Sequence, residues 1–290
     1  MAIQVLFDVC LVYSKNEDLV TITEEITERL IHTLLDPDAC VQSLSADGFG
    51  KLLLHDRISN PDMLKQVVSG LLMLFYHPMT MENTKMRQSL SFLFHAYSFS
   101  TSERQANVRE CVPGVLADLL KSSNVDVFEQ TMYLVDPLNL AGNVNNLNAL
   151  DLNGRFLLGL LYQAIGCINT HPQIANKLIG YAAKVPLHQG PCTLIVKEAL
   201  FVANLLTKSP RIQGQALKRL CNNLSIVDDP LLLVSALQSE EIISKITTLC
   251  PELITPNAAS QPTQLPKQRV NKRLTDIENV MDNLNDILDD

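Results

Sequence analysis

The chain has 290 residues and a formal net charge of -8, with 47% hydrophobic and 19% charged residues. Such an apolar content supports a large core and excludes general disorder, and the acidic balance excludes strong nucleic-acid binding by bulk attraction while leaving room for a local basic patch. Aromatics are only 5% and Trp is absent, so Leu, Ile, Val and Ala must fill the interior, which suits helix-on-helix packing.

The N-terminal stretch MAIQVLFDVC has no basic lead and Asp8 interrupts its apolar run, so it does not read as a secretory signal. Ile3, Leu6, Phe7, Cys10 and Leu11 instead follow the spacing of one buried helical face. A second helix is expected from Thr21, where Thr21 and Glu24 have the spacing of a capping box, with Ile26, Leu30 and Leu34 on its apolar stripe. Asp36-Pro37 breaks it, because Pro37 cannot donate to the helix and pushes Asp36 to an extended conformation.

A third helix is expected over 39–55 with an unusual run of small residues, Ser45, Ala46, Gly48 and Gly50. Each glycine inside a helix costs about 1 kcal/mol against alanine, so close approach of a neighbouring backbone is the expected compensation. Gly48-Phe49-Gly50-Lys51 lacks the spacing and the preceding strand of a phosphate loop and reads as tight helix packing.

Further helices are expected near 61–76, 84–98, 105–121, 125–135, 153–169, 172–184, 191–207, 211–224 and 230–249. Breaks carrying proline separate many of them, among them Asn60-Pro61, His77-Pro78, Asp136-Pro137, Ser209-Pro210 and Asp229-Pro230. The Asn-rich segment 136–152 is expected to be a long loop. Phe156 to Asn176 is uncharged, but Gln163, Asn169, His171 and Pro172 make it a buried helix that stops rather than a membrane span. Paired helices with short turns imply an all-α solenoid over 1–250.

Residues 251–270 are expected to form a flexible linker, four prolines falling within 251–268. Residues 271–290 are expected to form an amphipathic helix with Leu274, Ile277, Met281, Leu284 and Leu288 on one stripe. That stripe is too short to stand alone; it either docks into a groove or caps the last repeat. Two basic sets stand out. Arg211, Lys218 and Arg219, with Lys208 before them, are placed on the second helix of a late repeat; Lys267, Arg269, Lys272 and Arg273 lie in the tail. Each set reads either as an ordinary solvated face or as contact for DNA phosphate or an acidic partner.

No Walker A loop, Gly-x-Ser-x-Gly elbow or His-Glu-x-x-His motif is present, and the six histidines form no i, i+4 metal pair. The seven cysteines include no Cys-x-x-Cys and read as reduced, mostly packed thiols. An enzyme, a cofactor, a metal site and a small-molecule substrate are therefore not expected.

The stretch Leu34 to Leu53 resembles a HEAT repeat. Leu34, Leu35, Asp36, Pro37, Val41, Ala46, Phe49, Gly50 and Leu53 occupy the repeat's positions; Gln42 stands where many HEAT repeats place Arg, and Arg87 holds that place in the next pair. The run Gly48 to Leu54, Arg57-Ile58, the Tyr76–Thr80 turn and the helix Arg87 to Phe94 are more specific. They are similar to the C-terminal region of the CAP-G family, the HEAT-repeat subunits of condensin (condensin subunit 3), over 20–125, and by helix order alone to about 250. Family members are several times longer, so the chain is expected to be a C-terminal portion or a truncated gene product.

The resemblance implies a HEAT superhelix without an ATPase site. It implies binding to the kleisin subunit CAP-H, and through it to the SMC ATPase subunits. It implies a role in gripping double-stranded DNA, weak or indirect for this portion, in the nucleus and cytoplasm and on mitotic chromosomes. The alternative is a general HEAT- or armadillo-type adaptor or transport scaffold that cradles peptides.

Overall fold

The computed structural model describes residues 2–140, 146–187, 193–212, 214–226 and 236–254. The stripe from Leu274 to Leu288 and the basic set Lys267, Arg269, Lys272 and Arg273 lie outside the described residues, as does everything past 254. Among the described residues there are twelve α-helices and no strand. They are α1 (Ala2–Tyr13), α2 (Val20–Ile31), α3 (Ala39–Leu54), α4 (Pro61–Tyr76), α5 (Thr84–Ser98), α6 (Ser102–Ser122), α7 (Phe128–Val135), α8 (Asn146–Cys167), α9 (Pro172–Ala182), α10 (Leu194–Leu206), α11 (Gly214–Ile226) and α12 (Ala236–Leu249).

The helices form an α-solenoid of two layers. α1, α3, α5, α7, α9 and α11 follow one another in one layer, and α2, α4, α6, α8 and α10 in the other, with α12 against α8. Most helices meet the next-but-one along the stack and a sequence neighbour across it, as stacked repeats require. A continuous apolar core runs between the layers, with Phe49, Phe94, Phe128 and Phe156 fully buried along it. Burying each such side chain contributes about 1.5–3 kcal/mol.

Local chemistry sets the boundaries. Asn60 caps α4, its side chain accepting from the Asp62 and Met63 amides, and Pro61 follows where a missing N–H costs nothing. Asp38 accepts from Cys40 and Val41 at the start of α3, and Thr101 accepts from Arg104 at the start of α6. That second cap places the start of α6 before the expected residue 105. At Asp36 the backbone is extended, with φ -63° and ψ 135°, as its following proline demands.

Three expectations differ from what is observed. Thr21 does not cap α2: the helix starts at Val20, Leu19 precedes it without a side-chain cap, and the buried Thr23 and Thr27 turn back onto the Val20 and Thr23 carbonyls. The segment 136–152 is not one long loop, since a 3-10 turn occupies Pro137–Asn139 and α8 begins at Asn146. Burial of Ala149, Leu150 and Asn153 outweighs the poor helix propensity of the asparagines, and Asn153 donates from Nδ2 to the Pro186 carbonyl at 3.0 Å. The compact unit also continues past 250 to Ile254, through a 3-10 turn at Pro251–Leu253 that buries Leu253.

Successive repeats are tied by amides as well as by apolar contact. Asn83 caps α5 by accepting from the Met86 amide at 3.2 Å, while its Nδ2 donates to Ser43 Oγ at 2.8 Å and to the Ala39 carbonyl at 3.3 Å in the preceding repeat. Gln42, in the place of a HEAT arginine, donates to the Leu34 carbonyl at 3.2 Å, and Arg87 lies over the Phe75 ring at 5.8 Å. Asn83 thus links these repeats, as does Ser89, whose hydroxyl donates to Asp47 Oδ1 at 2.6 Å. Asn83→Ala is expected to lower stability by about 1 kcal/mol, and Asn83→Asp by less, because it keeps the cap and loses only the donor. Equal losses in thermal melts of the two variants would refute that division of roles.

Candidate functional site

The expected basic set does not lie on one helix. Lys218 and Arg219 are exposed on α11, whose opposite side buries Leu217, Leu220 and Leu224. Arg211 lies in the turn before α11, which starts at Gly214. Its guanidinium donates to Asn169 Oδ1, and its carbonyl accepts from Asn176 Nδ2 at 3.2 Å. At the far end Asn223 Nδ2 donates to the Ala183 carbonyl at 3.2 Å. These two bonds hold α9 and α11 side by side and parallel.

That pairing extends the basic set to residues the sequence reading did not include. Lys177 on α9 and Lys184 just after it are exposed. Lys177 donates to Asn124 Oδ1; Lys184 reaches Glu129 at 3.5 Å and lies over the stacked rings of Phe128 and Tyr181. α9 and α11 contain no carboxylate. From 172 to 226 the chain has seven Lys or Arg and one acid, Glu198, in a molecule whose net charge is -8. Glu198 is in the other layer on α10, where it accepts from the Tyr162 hydroxyl at 2.6 Å. Counting charge in windows would have found this asymmetry; reading clusters of adjacent bases did not.

Lys218 and Arg219 form no ion pair among the described residues. Lys184 is half-committed to its carboxylate and rings, so the two α11 bases are the pair most available to an anion. An exposed one-signed face is an electrostatic footprint for a polyanion, worth most at low salt.

A cleft in the other layer has a different character. It lies between α8, α10 and α12, with a volume of about 750 Å³. Both of its bases are engaged: Arg155 pairs with Asp151 at 3.0 Å, and the Lys245 ammonium sits 3.9 Å from the centre of the Tyr162 ring. Burial, the hydrogen bond to Glu198 and the nearby charge of Glu241 all push the Tyr162 phenol upward, so it stays protonated and donates.

The six described cysteines are unbridged, and burial pushes the thiols of Cys10, Cys111, Cys167 and Cys221 up, away from the thiolate. Among the described residues no group of His, Cys, Asp or Glu is arranged to hold a metal, and no helix is long and apolar enough to cross a membrane.

The family described as nuclear condensing complex subunits, C-term domain, matches residues 1–208. The chain belongs to this family. The match runs from α1 through the end of α10, so it takes in α9 and Lys208, while α11 with Lys218 and Arg219 follows it. A comparison with curated proteins returns no significant match. Membership makes the chain a condensin-type subunit, a class defined by its place in a complex, and the two-layer helical stack is a scaffold suited to that role.

Proposed function

We propose that this chain is a non-catalytic scaffold of condensin that binds the kleisin subunit CAP-H, and through it the SMC ATPase subunits, and supports DNA engagement on mitotic chromosomes. It would work in the nucleus, in the cytoplasm and on the chromosomes themselves. The observation that carries the reading is the family match over residues 1–208. The DNA-facing part is supported by the excess of bases along α9 and α11, and it is an auxiliary contact, because the net charge of -8 opposes strong binding by the chain alone.

Two measurements test it. Co-purification with a CAP-H fragment is expected to give a stable complex at micromolar concentration, and absence of that complex would count decisively against the kleisin assignment. An adaptor would instead retain generic extended peptides with no preference for the kleisin. For DNA, the double charge reversal Lys218→Glu with Arg219→Glu is expected to weaken duplex binding about tenfold at low salt and to flatten the salt dependence by about two counterions. Unchanged affinity and slope would remove α11 from the interface.

A further inference from the structure

The cleft between α8, α10 and α12 takes no part in the functions proposed above. Its apolar lining is aliphatic: Leu158 and Ile242 are buried, Ile195 is half-buried and Leu194 is exposed. Three carboxylates, Asp151, Glu198 and Glu241, and two bases, Arg155 and Lys245, line it as well. We propose that this cleft is a docking site for a short linear segment of a partner protein, one that presents a single lysine or arginine flanked by aliphatic side chains. The inference depends on neither the kleisin nor the DNA assignment.

The cleft is one cation short. Arg155 is taken by Asp151 at 3.0 Å. Lys245 stands four residues after Glu241 on α12, a spacing at which opposite charges on a helix ordinarily meet. Its ammonium turns instead to the Tyr162 ring, 3.9 Å from the ring centre. Glu198 accepts the Tyr162 hydroxyl on Oε1, and that neutral donor leaves its charge unmatched. Among the described residues neither Glu198 nor Glu241 forms an ion pair. Glu198 is half-buried between the helices, where water screens it less than on an open face, so a basic side chain entering there gains more. Lys245 on Tyr162 shows how an ammonium is received at this place.

The lining narrows the ligand further. An excess of carboxylate repels nucleic acid, and a bare cation would leave Leu158 and Ile242 uncovered. A peptide uses both features: its base answers the unmatched carboxylates, and its aliphatic neighbours cover the apolar wall. The volume of about 750 Å³ lies within the range of roughly 300–1,000 Å³ that encloses a ligand. The basic α9–α11 face belongs mainly to the other layer and carries the opposite sign, so the two surfaces select different ligands.

The test is a selection of displayed random heptapeptides on the whole 290-residue chain, counter-selected on the Glu198→Gln, Glu241→Gln double variant. Enriched peptides are expected to carry lysine or arginine beside leucine, isoleucine or valine. A labelled synthetic copy of the most enriched peptide should bind the double variant about tenfold more weakly by fluorescence polarisation. Glu241→Lys, at an exposed position, should abolish binding while leaving the thermal melt unchanged. The Lys218→Glu, Arg219→Glu reversal should leave peptide binding intact, so failure of the DNA reading and failure of this one are separable. No enrichment, enriched peptides without a base, or a peptide that binds Glu241→Lys as it binds the parent would each overturn the proposal.

Discussion

Replacing Arg109 with leucine is expected to cost about 2–6 kcal/mol of local stability and to release α7 before any other helix. Arg109 lies inside α6 with only 3% of its surface exposed, and it forms no salt bridge among the described residues. Burial pulls its guanidinium down to about 10, which still leaves it charged at neutral pH. The end of α7 compensates. Arg109 donates to the Val135 carbonyl at 3.0 Å and to Gln105 Oε1 at 2.6 Å; Gln105 in turn donates to the Asp136 carbonyl at 2.9 Å and the Leu134 carbonyl at 3.4 Å. Two side chains of one helix thus satisfy the last carbonyls of its hairpin partner, which have no acceptor role left within their own helix. They also place positive charge at its negative end.

Leucine would reach neither Val135 O nor Gln105 Oε1 and would strand both in the core, at about 1–3 kcal/mol for each unpaired group. The solenoid is a chain of neighbours, so a single unfolding energy is the wrong readout and local opening is the right one. Hydrogen exchange of the Phe128–Val135 amides should rise sharply, with a smaller rise in α9, because Phe128 stacks on Tyr181 with ring centres 4.6 Å apart. Protection of α7 indistinguishable from the parent would show that these bonds contribute little. Arg109→Lys should fall between the two, since a single ammonium keeps the charge but not the forked geometry.

This capping could not be read in the sequence, and the reason is general to the chain. Elements bounded by their own neighbours were legible: Asn60-Pro61 starts α4 and Tyr76 ends it where expected, and α5 runs from Thr84 to Ser98 as expected. Apolar spacing and proline are local signals. Features satisfied across the stack were not legible. The start of α8 at Asn146 depends on burial of Ala149 and Leu150 between other helices, and Thr21 failed as a cap because Thr23 and Thr27 bond back into their own helix. Arg109 reads as one more charged residue until the α7 carbonyls are placed around it. The same holds for the candidate interface. Lys218 and Arg219 stood out as adjacent bases, but Lys177 and Lys184 join them only through the parallel packing of α9 and α11.

The small-residue run in α3 gives a second large effect, and its two glycines should part company. A Cβ on Gly48 would lie 2.3 Å from both Cγ and Cδ2 of Phe7 on α1. The neighbour is thus an aromatic ring and not the backbone that spacing alone suggested. Phe7 is 4% exposed and meets Phe49 edge to face at 4.8 Å, so the ring cannot rotate away into solvent or free space. Gly48→Ala would gain about 1 kcal/mol of helix propensity and lose about 3 kcal/mol to overpacking, for a net loss of about 2 kcal/mol. The strain falls on the α1–α3 contact, so α1 should detach while the rest of the stack stays folded.

A Cβ on Gly50 meets the Leu93 Cδ2 methyl at 3.2 Å, the far end of a flexible side chain that can yield by a few tenths of an ångström. Gly50→Ala should therefore be neutral or slightly stabilising, since propensity offsets a small shift. Limited proteolysis between α1 and α3, set beside thermal melts of both variants, separates the cases. Faster cleavage is expected in Gly48→Ala alone, and equal behaviour of the two would mean that α1 holds α3 less tightly than the Phe7 contact requires. The glycine at 48 is thus a packing requirement set by one ring on the neighbouring helix, and α1 should hold to the stack only as long as that ring has room.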